Sequence, residues 1–219
     1  MRQDGSVFPI ELSSNTMLIA GETKFIGIIR DITERRKAEE EIRRLALTDP
    51  LTGLANRNQF HQKFEDAIKL ARRQESTIGL MMLDLDKFKP VNDTYGHPVG
   101  DALLNWVSET LQDMSRNTDT VARLGGDEFA IIVVDPENQD VLGLLAERIV
   151  TALSATTNIM GHDLQIGTSI GIADFPDHGE TIDDIMGKAD KALYAAKKAG
   201  RNTFRFFDPD MENEQHNQD

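Results

Sequence analysis

The sequence predicts an α+β domain: a mixed five-stranded sheet flanked by helices, preceded by a short β-meander and a charged helix. Three observations predict it. Strand-like and helix-like runs alternate between residues 56 and 207. Between the runs 119–124 and 128–134 stands Gly125-Gly126-Asp127-Glu128, a hairpin signal, so two neighbouring strands are antiparallel and the sheet is not of the doubly wound kind. The run 78–83 is apolar throughout, as expected of a central strand covered on both faces.

Each element has its local reason. Residues 1–30 offer three apolar runs, 7–12, 17–19 and 24–29, with turn signals at Asp4-Gly5 and Gly21-Glu22. They read as a three-strand antiparallel meander, marginal on its own. Residues 31–48 read as a helix, and Asp31 with Glu34 has the capping-box spacing. Its middle is dense in charge: Glu34, Arg35, Arg36, Lys37, Glu39, Glu40, Glu41, Arg43 and Arg44. Ala38, Ile42 and Leu45 follow the spacing of a coiled-coil seam. A solvated connector and a short parallel coiled coil joining two chains both fit this pattern, and it is too short to separate them. The main domain, 49–207, reads as helix 56–74, strand 77–85, helix 100–115, strands 119–124 and 128–134, helix 138–155, strand 165–174, helix 182–199 and strand 202–207. The tail, 208–219, holds Asp208, Asp210, Glu212, Glu214 and Asp219, without Lys or Arg, the composition of a disordered end.

Composition narrows the function. The chain has 219 residues, with 24 Lys and Arg against 37 Asp and Glu, a net charge of −13. A nucleic-acid binder normally carries a basic face, so none is expected as partner. A nucleotide remains compatible, because one cation-loaded site overcomes the global field locally. The absence of cysteine removes disulfides, thiolate metal sites and cysteine nucleophiles, and points to a reducing, cytoplasmic setting. No apolar run approaches the roughly 18–20 residues of a membrane helix, and the first residues lack the apolar stretch of an export signal.

Chemistry concentrates at two acidic strand ends. The apolar run 78–83 leads directly into Asp84-Leu85-Asp86, and a carboxylate at the end of a buried strand is costly unless a cation or donor meets it. Asp84 or Asp86 capping the next turn answers that equally well. The second pair, Asp127-Glu128, follows two glycines, and a plain charged turn would look the same. Together on one sheet edge, the two ends could hold one or two Mg²⁺ ions, which take carboxylates plus substrate phosphates.

The sequence Asp84-Leu85-Asp86-Lys87-Phe88-Lys89-Pro90-Val91-Asn92-Asp93, then Gly96-His97-Pro98-Val99-Gly100-Asp101, then Arg123-Leu124-Gly125-Gly126-Asp127-Glu128-Phe129 resembles the GGDEF family of diguanylate cyclases. Asp49-Pro50-Leu51-Thr52-Gly53-Leu54-Ala55-Asn56-Arg57 resembles that family's opening motif, and Ala192-Leu193-Tyr194-Ala195-Ala196-Lys197-Lys198-Ala199-Gly200-Arg201-Asn202 its closing one. The resemblance implies a palm-like fold that condenses two GTP into cyclic di-GMP, with Mg²⁺ as cofactor and Mn²⁺ as substitute, working as a homodimer. It implies metal ligation by Asp84, Asp127 and the Leu85 carbonyl. Glu128 becomes the other essential acid, at the metal and the reacting hydroxyl. Asn92 and Asp101 become the guanine-reading pair. The chemistry agrees, since a carboxylate accepts from the guanine N–H edge while an amide donates to an acceptor on the same base. Lys89, Lys197 and Arg201 become phosphate contacts, with the backbone at Phe88 cradling phosphate. A basic last turn on helix 182–199 would by itself also explain Lys197 and Arg201. Gly96 and Gly100 read as turn glycines, His97 as a hydrogen-bonded structural histidine and Trp106 as packing.

Arg116-Asn117-Thr118-Asp119 starts nine residues before Gly125, which fits the family's RxxD site for inhibition by bound product, with Arg148 supplementing it. An ordinary ion pair at a helix end has the same spacing. In front, Arg2-Gln3-Asp4-Gly5-Ser6-Val7-Phe8-Pro9-Ile10-Glu11, Gly27-Ile28-Ile29-Arg30 and Asp31-Ile32-Thr33-Glu34-Arg35 resemble the last strands of a PAS sensor domain and its exit helix. The pocket-forming first half of such a domain has no counterpart, so no PAS ligand is expected. Two other function classes compete with the enzyme: a catalytically silent GGDEF module that senses cyclic di-GMP or GTP, and a dimerisation element. The intact Asp84, Asp127 and Glu128 favour the enzyme.

Overall fold

The structure, a computed structural model, describes residues 7–20 and 22–211. The expectations for Asp4-Gly5, for residues 2–6 of the PAS-like segment, for Gly21 and for the tail from 212 lie outside the described residues. The chain divides into two units, residues 1–46 and 47–219.

In the first unit, β1 (Ile10–Ile19) and β2 (Glu22–Asp31) form one antiparallel hairpin in unbroken register, from Ile10 opposite Asp31 to Ile19 opposite Glu22. The described residues therefore hold two strands, not the three expected. The polar stretch Ser13-Ser14-Asn15 looks like a break in sequence, but it lies mid-strand opposite Ile28, Gly27 and Ile26. Polar side chains are no obstacle to a strand whose faces are both exposed. Leu12, Leu18, Phe25 and Ile29 share one face and are exposed. The helix α1 (Thr33–Leu47) follows. The expected capping box is replaced by a closer contact: the Asp31 carboxylate accepts from the Thr33 N–H at 2.9 Å and the Thr33 hydroxyl at 2.5 Å. Glu34 meets Lys37 instead, and Arg35–Glu39 and Arg44–Glu41 pair along the helix. Such exposed pairs each stabilise a helix by about 0.2–0.5 kcal/mol.

The second unit is a sheet between two helical layers. In chain order its elements are α2 (Arg57–Gln74), β3 (Ile78–Asp86), α3 (Phe88–Tyr95), α4 (His97–Met114), β4 (Thr120–Gly125), β5 (Glu128–Val134), α5 (Gln139–Ser154), β6 (Thr157–Ile159), β7 (His162–Leu164), β8 (Gly167–Phe175), α6 (Ile182–Lys198) and β9 (Thr203–Phe206). Asn56, Asn138 and Thr181 cap α2, α5 and α6 through their side-chain oxygens, as small polar residues do at such positions. The sheet order is β4-β5-β3-β8-β9, with only β8 and β9 parallel, so the fold is the α+β, mixed-sheet one the sequence predicts. The apolar strand β3 is central.

Alternation along β3 sorts the core. Met81, Leu83 and Leu85 pack with Val99, Leu103, Leu104 and Ile149 of α4 and α5, while Ile78 and Leu80 pack with Phe60, Phe64 and Ile185 of α2 and α6. Trp106 is half-buried against the first of these clusters. At Gly171 a Cβ would strike the α6 backbone at Ala189 and Leu193, so this glycine sets how closely α6 lies on β8. Three elements escaped the sequence pattern. The helix α3 is short and carries Pro90 in its first turn, where proline is tolerated. The hairpin β6–β7 turns through Met160 and Gly161, both with positive φ (51° and 84°), and that Met-Gly pair between short runs was the available signal. Among the described residues, no helix is long and apolar enough to cross a membrane.

Candidate active site

The end of β3 and the β4–β5 hairpin bring the acids together. Asp84 lies opposite Glu128 in the ladder, and the Leu85 N–H donates to the Asp127 carbonyl at 3.2 Å. The hairpin turns through Gly125 and Gly126, with φ of 147° and 54°, a path that only glycine follows without strain. A cleft of about 200 Å³ opens here, lined among others by Asp84, Leu85, Lys89, Asp127, Lys197 and Arg201. The Lys197 ammonium sits 2.7 Å from Asp84 Oδ2. Burial pushes the Asp127 carboxyl above its usual range; its own backbone N–H and the cations Lys197 and Arg123 pull the other way, and the neighbouring Asp84 charge adds to the rise. Glu128 does not line this cleft. Its carboxylate faces Arg57 at 3.6 Å.

The donor set suits a hard divalent cation. Among the described residues no cluster of three or more acidic, His or Cys ligands forms. Two carboxylates and a backbone carbonyl nevertheless match Mg²⁺, which keeps its remaining positions for water and phosphate. Two crowded carboxylates, one with a raised pKa, are the condition that such a cation relieves.

Around the cleft stand anion-directed groups. Lys87 precedes α3 in the left-handed region with φ of 64° and makes no side-chain cap, so the α3 N-terminus has no side-chain acceptor from its cap residue. Lys89 is exposed in that first turn, whereas the Phe88 side chain is buried in the core, leaving its backbone as the usable part. Asp86, 5% exposed, is not free for a ligand. It accepts from Ser169 Oγ at 3.0 and 3.1 Å and from the Asn202 N–H at 2.9 Å, with Arg201 Nε 3.7 Å away. Both acids line the cleft, but Asp86 is the structural one, its oxygens taken by Ser169 and the Asn202 N–H, while the Asp84 carboxylate is met by Lys197.

Asn92 on α3 and Asp101 on α4 lie across a helix junction. A Cβ on Gly100 would collide with Asn92 Oδ1, so Gly100 is not a turn glycine but a helical one that admits the Asn92 amide. Gly96, with φ of 85°, is the turn residue. Since α4 starts at His97, Asp101 lies beyond its cap. Among the described residues its carboxylate has no partner. His97 is exposed and its imidazole makes no hydrogen bond among the described residues, contrary to the structural role expected.

A second pocket of about 340 Å³ lies at the β4 edge, lined by Lys63, Gln112, Arg116, Asn117 and Asp119 together with residues 53–55. Asp119 closes its turn by accepting from the Arg116 N–H at 2.9 Å and the Val134 N–H at 3.2 Å. Arg148 is exposed on α5 and does not line this pocket.

One feature was missed in sequence although both partners stand in quoted motifs. Arg123 donates to Asp49 at 3.0 Å and, through Nε and Nη2, to the Gly126 carbonyl at 3.0 and 2.8 Å. Asp49 also accepts from the Thr52 N–H and hydroxyl. Burial opposes the Asp49 charge, but the two Thr52 donors and Arg123 outweigh it and hold the carboxyl below its usual range. The turn that opens this unit is thereby tied to the hairpin that carries Asp127.

Comparison with known proteins places this geometry. Residues 46–203 match the family described as "Diguanylate cyclase, GGDEF domain". An uncharacterized signaling protein of Caulobacter vibrioides is 38% identical over 95% of this chain. The bifunctional diguanylate cyclase/cyclic di-GMP phosphodiesterase MucR of Pseudomonas aeruginosa is 42% identical over 82% of it. The chain spans 26% of the length of each. Among solved structures, the coiled coil and GGDEF domain of DgcB from Caulobacter crescentus, in complex with c-di-GMP, superposes with a TM-score of 0.73. It is 33% identical, over 80% of this chain and 93% of that one.

Proposed function

Because the chain belongs to the GGDEF family of diguanylate cyclase domains, we propose that it joins two molecules of GTP into cyclic di-GMP and releases two pyrophosphates. The observation that carries this is the meeting of Asp84 and Asp127 beside Lys197 in one cleft. Asp84, Asp127 and the Leu85 carbonyl are the residues that would hold Mg²⁺, or Mn²⁺ in its place. When bound, the cation lowers the pKa of the attacking 3′-hydroxyl and neutralises charge on the α-phosphate and the leaving pyrophosphate. The 3′-oxygen forms its bond to the α-phosphorus as the bond to pyrophosphate breaks. Glu128, which faces Arg57 rather than the cleft in this structure, is assigned the second acid role at the metal and the reacting hydroxyl, toward which its side chain must turn.

Lys89, Lys197, Arg201 and the backbone at Phe88 bind the triphosphate, for which Lys197 exchanges its contact with Asp84. Asn92 and Asp101 read the guanine edge. Arg116 and Asp119 bind product and inhibit. Two chains face each other, each with one GTP, and the hairpin with α1, as the end of a PAS-like sensor, supplies the input.

Incubation with GTP and Mg²⁺ followed by chromatography of the products tests this. Wild type yields cyclic di-GMP. Asp127→Asn and Glu128→Gln each abolish synthesis while circular dichroism stays unchanged, because both acids sit at a solvent-facing hairpin. Near-normal turnover by either variant would overturn its assigned role. Bound but unreacted GTP in the wild type would make the chain a sensor.

A further inference from the structure

We propose that Lys63 is a second phosphate-binding cation of the pocket that holds Arg116, and that the two cations grip the two phosphates of one cyclic dinucleotide from opposite walls. It rests on the assignment of this pocket to the product.

The pocket straddles the β4 edge of the sheet, where Ala55 bridges to Ala122. β4 is an edge strand. The helix α2, which carries Gln59 and Lys63, packs on one sheet face, and α4, whose C-terminal end leads into Arg116, packs on the other. Gln59 and Lys63 are four residues apart on α2, so they share a helical face. That face lines the pocket opposite Gln112 and Arg116.

Charge gives the ligand class. The chain has a net charge of −13, so a pocket walled by two cations stands against its overall field. Among the described residues, neither the Lys63 ammonium nor the Arg116 guanidinium has an ion-pair partner, whereas Lys69, one turn further along the same helix and beyond, is paired with Glu65 at 2.8 Å. The acid in the pocket, Asp119, has each oxygen engaged by a backbone N–H, so it neutralises neither cation directly. Two unpaired cations, two side-chain amides and the amide of Asn117 around about 340 Å³ suit a dianion rich in hydrogen-bonding groups. A cyclic dinucleotide presents one phosphate on each side of its ring, matching one cation per wall. The Arg116 fork can hold a phosphate bidentately and the Lys63 ammonium as a point charge. Arg148, on another helix, does not line the pocket.

Calorimetric titration of the full chain with cyclic di-GMP tests the inference, using Lys63→Ala, Lys63→Arg and Arg116→Ala. Lys63→Ala is expected to weaken binding about tenfold and to raise the product concentration needed for half-inhibition by a similar factor. Lys63→Arg is expected to stay near wild type, and the initial rate, before product accumulates, to be unchanged in both. An affinity unaltered by Lys63→Ala while Arg116→Ala weakens binding would overturn the role of Lys63 and leave the pocket standing. Affinity unaltered in both variants would remove the product from this pocket, and the inference with it.

Discussion

Asn92 and Gly100 act as one unit. Glycine inside a helix costs roughly 0.5–1 kcal/mol relative to alanine, and α4 accepts that cost at Gly100 because a Cβ there would meet Asn92 Oδ1. The atom met is the far end of a side chain, so Gly100→Ala displaces the amide rather than breaking the helix. The melting temperature should then change little, since helix propensity offsets the crowding. Selectivity should suffer. Gly100→Ala, Asn92→Ala and Asp101→Ala are each expected to reduce the preference for GTP over ATP about tenfold or more, because a site built on base-edge hydrogen bonds discriminates through them. Competition between the two nucleotides checks this. An unchanged preference in Asn92→Ala would move guanine recognition elsewhere.

At the scale of elements, the hairpin that carries Asp127 is held by a brace from outside its own strands. Arg123 and Asp49 have side chains only 12% and 17% exposed, so removing one leaves a poorly solvated charge. Arg123→Ala is expected to cost on the order of 2 kcal/mol of stability and to lower turnover more than it raises the KM for GTP, since the Gly126 carbonyl loses both of its guanidinium donors. Chemical denaturation and steady-state kinetics check the two parts. The pH dependence has a definite sign. The Asp49 carboxyl is held below its usual range in the fold, so its contribution is complete above the unfolded aspartate value of about 3.9 and is lost as pH falls through the lower, folded value. Asp49→Asn should therefore narrow its stability gap from wild type in acid. A gap that widens there would reverse the assigned sign.

At the scale of the whole molecule, the proposed reaction assigns one GTP to each cleft, while its product joins two head to tail. That reaction would require two chains to face each other through their Gly125-Gly126-Asp127-Glu128 turns, a two-fold contact of the commonest kind. The stripe of Ala38, Ile42 and Leu45 on α1 is a candidate join, and Ile42 and Leu45 are 66% and 54% exposed. So short a seam gives weak association. Specific activity should rise with enzyme concentration. Ile42→Asp combined with Leu45→Asp should lower it without altering GTP binding. Constant specific activity over a hundredfold dilution, in a chain shown by sedimentation to stay monomeric, would exclude the two-chain arrangement.

What the sequence determined by itself is local or periodic. Apolar runs and glycine turns are written in neighbouring positions, so the strand run at 78–83, the turn at Gly125-Gly126 and the mixed sheet were all legible. So were the acids at the strand ends, because a carboxylate after a buried strand is conspicuous. Tertiary structure decided whatever depends on residues far apart in the chain. It separated Asp84 from Asp86 by bringing Ser169 and Asn202 to the latter, and it joined Asp49 to Arg123. It turned Glu128 toward Arg57, made Gly100 a neighbour of Asn92 rather than a turn, and set Lys63 across a pocket from Arg116. The physical reason is that a side chain's partner, and so whether its charge is spent or free, is fixed by packing across layers, which no spacing along the chain encodes.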